Sequence, residues 1–149
     1  MDAGDRVNLL KESIILYRKR NYKYVLEEGH LFTTKITGFN IREKFGELRD
    51  DGKGIIYAGY GWDGCSGPTI DDDTNMRGGL RHDFKYQLMR LGRLPITCRE
   101  IADKELHDDC RADGMGKFRA WYYLQGVDHF AGYAAKYGTE PRVLVAPNK

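Results

Sequence analysis

Cysteine, proline and tryptophan are scarce in this chain of 149 residues, with three, four and two copies. Three cysteines, Cys65, Cys98 and Cys110, are too few and too odd in number for a disulfide scaffold. They form neither a CxxC pair nor a zinc-finger spacing, so they read as small semi-buried thiols in a protein made in a reducing compartment. No apolar run approaches the roughly 18 residues that would argue for a membrane span. The opening "MDAGDRVNLLKESIILYRKR" starts acidic and polar, whereas a secretory signal starts basic and turns apolar, so no export signal is expected. A strong charge balance is missing too: the net charge of +2 is too mild to imply by itself nucleic acid, specific or not, or an anionic membrane as partner.

What is present suits one compact domain. Apolar residues make up 41% of the chain and charged residues 31%, enough for a single core over residues 1–149. No internal repeat, low-complexity tract or linker divides it. Glycine is plentiful and clusters between positions 52 and 79, interleaved with aromatics, which marks a shaped loop region.

Val7, Leu10, Ile14 and Tyr17 recur at helical spacing, so the sequence predicts an amphipathic helix over 6–20 whose basic "RKR" end complements the helix dipole. From Tyr22 the period changes to two. Tyr22, Tyr24 and Leu26, then Phe32, Thr34 and Ile36 after "EEG", predict a hairpin. A second pairing is expected within "REKFGELRDDGKGIIYAGY", turned at Asp51-Gly52. Leu80, Phe84, Leu88 and Leu91 draw a stripe along a helix over 77–91 that Gly92 stops. Another helix is expected from "PITCRE", with Thr97 and Glu100 at capping-box spacing, to Asp113-Gly114. A third covers roughly 117–137. The tail "TEPRVLVAPNK" is expected to be extended. The whole predicts an α+β fold: an N-terminal helix, a small antiparallel meander, then three helices of which the first two form an antiparallel pair.

The chemistry concentrates in "RHDFKY". His82 and Tyr86 lie one helical turn apart on the face opposite the main stripe, and Asp83 projects between the two faces. Antiparallel packing of the next helix would bring Asp103 to the His82 ring, with the Tyr86 hydroxyl as a further donor. A carboxylate behind a histidine fixes its tautomer and stabilises the imidazolium formed when the other nitrogen takes a proton. Asp83 is free by direction to meet a hard cation, and "GYGWDGCSGPT" offers Asp63 and glycines, Gly61 and Gly64 among them, whose backbone carbonyls can turn toward an ion.

The ordered string "GYGWDGCSGPT", "MRGGLRHDFKYQLMRLGRLP", "REIAD" and "GMGKFRAWYYLQGV", over roughly residues 55–135, resembles a family common in phages and prophages that is known as a domain of unknown function. A looser similarity links "DGCS", "RHDFKY" and a following helical aspartate to the phospholipases A2 of bacteria, fungi and viral capsids. That resemblance implies His82 as general base, Asp103 and Tyr86 as its orienting shell, and calcium held by Asp83, Asp63 and carbonyls at Gly61 and Gly64. It implies a lipid or ester substrate. Two departures stand against it: the secreted enzymes brace these helices with disulfides absent here, and their pattern lacks this strand-rich N-terminal third.

The phage resemblance equally implies a head, neck or tail component made in the cytoplasm and built into a virion beside other virion proteins, its His–Asp pair purely structural. A phosphohydrolase doublet would want further histidines on an all-helical scaffold, and His30 falls among strands. Asp71, Asp72 and Asp73 read as helix-start residues, with Asp73, Thr74 and Asn75 all acceptable caps. His107 is expected on the solvent side and His129 in the third helix. Trp121, Tyr122 and Tyr123 admit two readings, an interfacial patch for a membrane or partner protein, or a core position for Trp121 with one exposed tyrosine, and the core position is the one expected.

Overall fold

A computed structural model describes residues 14–20, 23–62 and 72–134. Among these described residues seven short strands come first: β1 Tyr17–Arg20, β2 Lys23–Leu26, β3 His30–Thr33, β4 Ile41–Glu43, β5 Gly46–Leu48, β6 Lys53–Ile56 and β7 Gly61–Trp62. Three helices follow, α1 Met76–Arg90, α2 Arg99–Ala112 and α3 Lys117–Ala134, with a single 3₁₀ turn, Ile96–Cys98, leading into α2. The fold is therefore α+β, strands before helices, as the change of period predicts.

The strands form two antiparallel sheets, ordered β1-β2-β7 and β3-β6-β5-β4. Two sequence expectations fail here. Residues 17–20 are a strand rather than the last turn of a helix, because Tyr17 packs edge-on against Tyr24 and Trp62, at 5.5 and 5.8 Å between ring centroids. Cross-strand aromatic packing of this kind outweighs a local helical period. The part of that expected helix before residue 14 lies outside the described residues. The hairpin between residues 22–26 and 32–36 does not form either. Leu26 pairs with Tyr17 on one side, while its backbone exchanges hydrogen bonds with Gly59 and Tyr60 on the other. Strand β3 instead pairs with β6. The alternation itself is real, since Phe32, Thr34 and Ile36 are all buried. The pairing of β5 with β6 forms as expected, with Gly52 at positive φ in the turn.

Helix α1 is the centre of the molecule. Phe84 meets Phe32 of β3, Phe45 and Tyr60 at 5.6, 5.7 and 6.3 Å, which packs one face of α1 on the second sheet. Leu80 and Leu88 complete that face. Both α1 and α2 end in the same way. Gly92 and Gly114 take positive φ, and the next residue's amide bonds back to the third carbonyl from the helix end (Arg93 to Leu88, Met115 to Cys110). At the start of α2, no side chain caps the helix and Cys98 holds the cap position. Thr97 is taken up in the 3₁₀ turn, closed by the Cys98 amide on the Pro95 carbonyl at 3.0 Å, and so cannot cap. The segments after Ala134, including the expected extended tail, lie outside the described residues.

Candidate active site between two helices

The far side of α1 faces α2 through a ladder of opposite charges. Arg77 grips Asp113 with two bonds, Nε at 3.0 Å and Nη2 at 2.9 Å. Arg81 reaches Asp109 at 3.1 Å, and Lys85 lies 3.6 Å from Glu105. Each step of four along α1 is matched by a step of four backwards along α2, so the two helices are antiparallel, as the short link between them predicts. Gly78 lets them close in: a Cβ there would sit 3.1 Å from Leu106 and 3.2 Å from Asp109. This ladder was legible in the sequence, as basic residues at 77, 81 and 85 and acidic ones at 105, 109 and 113, but a search for metal and nucleophile patterns passes over it.

Two rungs extend to the strands. Arg81 also donates from Nε to Nε2 of the buried His30, at 2.9 Å. The Thr34 hydroxyl donates to Glu105, the carboxylate that faces Lys85. Lys85 is fully buried, with its ammonium 5.8 Å over the Phe32 ring. Burial holds its pKa below the ordinary lysine value, and Glu105 and Asp109 oppose that fall.

Beside this ladder, at the positions next to Arg81 and Lys85 on α1, lies the predicted constellation. His82 Nε2 is 2.7 Å from Asp103 Oδ1, and the Tyr86 hydroxyl donates to the same oxygen at 2.5 Å. The His82 and Tyr86 rings lie 4.1 Å apart, as side chains one turn apart on a helix do. A carboxylate can only accept, so Nε2 carries the ring proton and Nδ1 is left as the basic nitrogen. His82 is 3% exposed and Asp103 1%. Burial pulls the histidine pKa below its usual value, and Asp103, by hydrogen bond and charge, opposes this without reversing it. The ring is thus held on Asp103 in surroundings that resist its taking on charge.

Of the four residues expected to hold an ion, Asp83 and Gly61 are among the described residues. Asp83 is half-buried on α1, next to His82, and Gly61 lies in β7 opposite Val25. Asp63, Gly64 and Cys65 lie outside the described residues. The Tyr60 hydroxyl donates to Gln87 at 2.8 Å. Gln87 is one turn beyond Asp83, so this bond ties Tyr60, just before β7, to the face of α1 that carries Asp83. Among the described residues no group of three or more His, Cys, Asp or Glu side chains is gathered for a metal.

The remaining candidates have structural duties. Asp72 accepts from the Thr74 amide at 2.8 Å and its hydroxyl, and from Arg119 of α3 at 2.6 Å, so it ties α3 to the start of α1. The N-cap of α1 is Asn75, whose side chain accepts from the Asp72 amide at 3.0 Å instead of capping. His107 is partly exposed, its Nδ1 2.9 Å from Asp108. The Cys98 and Cys110 thiols are free and buried, and burial pushes Cys110 up to about 12, which makes it inert. Trp121, expected in the core, is on the surface, and Tyr123 is the buried aromatic of that trio. No described helix is long and apolar enough to cross a membrane. Comparison with protein-family models, with curated proteins and with solved structures finds no match for this chain.

Proposed function

We propose that this is a phage-type protein carrying a calcium-dependent ester hydrolase site of the phospholipase A2 kind. One observation carries the reading: the His82 Nε2 and the Tyr86 hydroxyl converge on one oxygen of Asp103. That arrangement does what a general base needs. Asp103 holds the ring in one tautomer and stabilises the imidazolium, and the lowered pKa keeps His82 able to accept a proton at neutral pH. His82 Nδ1 takes a proton from water while the water oxygen bonds to an ester carbonyl carbon. As the carbon–alkoxide bond breaks, the same proton passes to the leaving oxygen, giving a carboxylic acid and an alcohol. Calcium held by Asp83, Asp63 and carbonyls at Gly61 and Gly64 would supply positive charge for the oxyanion.

A second reading rests on burial. The same three side chains continue a ladder of paired residues whose evident work is to join two helices, which suits a non-enzymatic virion component. Hydrolysis of phospholipid vesicles and of a soluble short-chain phospholipid, with calcium, separates the two. The hydrolase reading expects turnover by the wild type that His82→Gln abolishes while its circular dichroism is kept. Equal, background-level release by both proteins would leave the structural reading standing.

A further inference from the structure

Helix α3 is built inside out for a surface helix. Its inner stripe is Ala120, Tyr123 and Val127, all buried. The outer face carries Phe118, Trp121 and Tyr122, at i, i+3 and i+4, exposed by 78%, 54% and 53%. Phe118 and Trp121 touch, with ring centroids 6.2 Å apart, so the residues form one patch rather than isolated apolar side chains. An outward helix face is ordinarily polar. We propose that this face of α3 is a peripheral docking surface for a phospholipid bilayer, on which the helix lies in the plane of the interface.

Three features favour lipid over a protein partner. The three rings expose about 400 Å² together, half of the roughly 800 Å² that each side of a stable protein interface buries. Their types are graded as an interface requires. Phe118, the most exposed and wholly apolar, would sit deepest, while Trp121 and Tyr122 have an apolar body and one polar group to leave at headgroup level. Lys117, exposed beside Phe118, is placed to meet lipid phosphate. The inference rests on this surface and stands apart from the hydrolase reading, because a virion component could also dock on a membrane.

The test measures binding, so hydrolysis does not enter it. The chain has two tryptophans, and Trp62 is buried whereas Trp121 is exposed. Both emit, but a change of emission on adding vesicles reports the exposed Trp121. Vesicles of phosphatidylcholine with a minority of phosphatidylglycerol should shift the wild-type emission to the blue, and the protein should co-sediment with them. In the triple variant Phe118→Ser, Trp121→Ser, Tyr122→Ser, the vesicle-bound fraction should fall by about tenfold or more, because the apolar area that drives insertion is gone. These sites are exposed, so the variant should keep its circular dichroism. His82→Gln should bind vesicles as the wild type does, whatever its activity. Absence of wild-type binding at millimolar lipid would overturn the proposal, as would equal binding by the triple variant. A concentration-dependent dimer by light scattering, lost in the triple variant, would overturn it in favour of a second copy of this chain.

Discussion

Arg81 on α1 donates through Nε to Nε2 of His30 on β3, 2.9 Å away, and through Nη1 to Asp109 on α2. One buried side chain thus joins the second sheet to both helices of the pair. Its guanidinium can only donate, so His30 must present a bare Nε2 to it. Arg81→Met removes the cation and leaves Asp109 and His30 facing an apolar chain. Loss of about 3–5 kcal/mol is expected, as when one partner of a buried pair is removed. Urea unfolding of the variant checks this, and a loss under 1 kcal/mol would mean the ladder contributes no more than surface pairs do.

At the candidate site the two donors to Asp103 should differ in consequence. Tyr86→Phe removes a hydrogen bond to a charged group and should cost about 1.5–3 kcal/mol, with the His82 bond kept. Asp103→Asn turns the acceptor into a side chain that can present its amide to His82. If His82 is the base, that variant should lose activity out of proportion to its stability. Parallel urea melts and hydrolysis assays distinguish the two effects; activity that tracks stability in both variants would count against an orienting role.

The pH dependence follows from burial of a neutral histidine. The unfolded chain binds a proton at His82 near the ordinary value of about 6.5, whereas the folded chain resists until a lower pH because burial disfavours the charged ring. Below that unfolded value the unfolded state holds more protons, so stability falls as pH falls, with a slope from this group of at most about 1.4 kcal/mol per pH unit. The loss should stop once pH passes the folded pKa. Urea midpoints measured from neutral to mildly acid pH should show a steeper decline in the wild type than in His82→Gln. Identical slopes would mean that His82 titrates normally in the fold.

Under the hydrolase reading, calorimetric titration with calcium should give saturable binding that Asp83→Asn loses. Asp83 is half-buried and asparagine has the same shape, so the variant should keep the wild-type circular dichroism. No heat at millimolar calcium would remove the ion from the proposed chemistry and favour the virion reading.

Much of the site was legible because helical spacing is a local property. Residues 82 and 86 share a face in any helix, and Gly92 and Gly114 stop helices because a left-handed residue there costs glycine nothing. The same spacing made the charge ladder readable at 77, 81 and 85 against 105, 109 and 113. Nothing local could assign Trp121 and Tyr123, which point about 160° apart on one helix; either could have been the core residue. In the strands the limit was sharper. Alternation identified Phe32, Thr34 and Ile36 as inward-facing, yet it carried no information on partners, and β2 and β3 went to different sheets.

The α+β class, the glycine stops of α1 and α2, and which side chains share a helix face were all readable in the sequence, since each depends on residues within a turn or two of one another. The tertiary structure decided that Tyr17 ends in a strand, that His82 and Tyr86 meet on a single oxygen of Asp103, and that the aromatic face of α3 looks outward. Those outcomes depend on which distant surfaces exclude water from one another, and burial against a distant partner outweighs a preference of a few tenths of a kcal/mol per residue in the local chain.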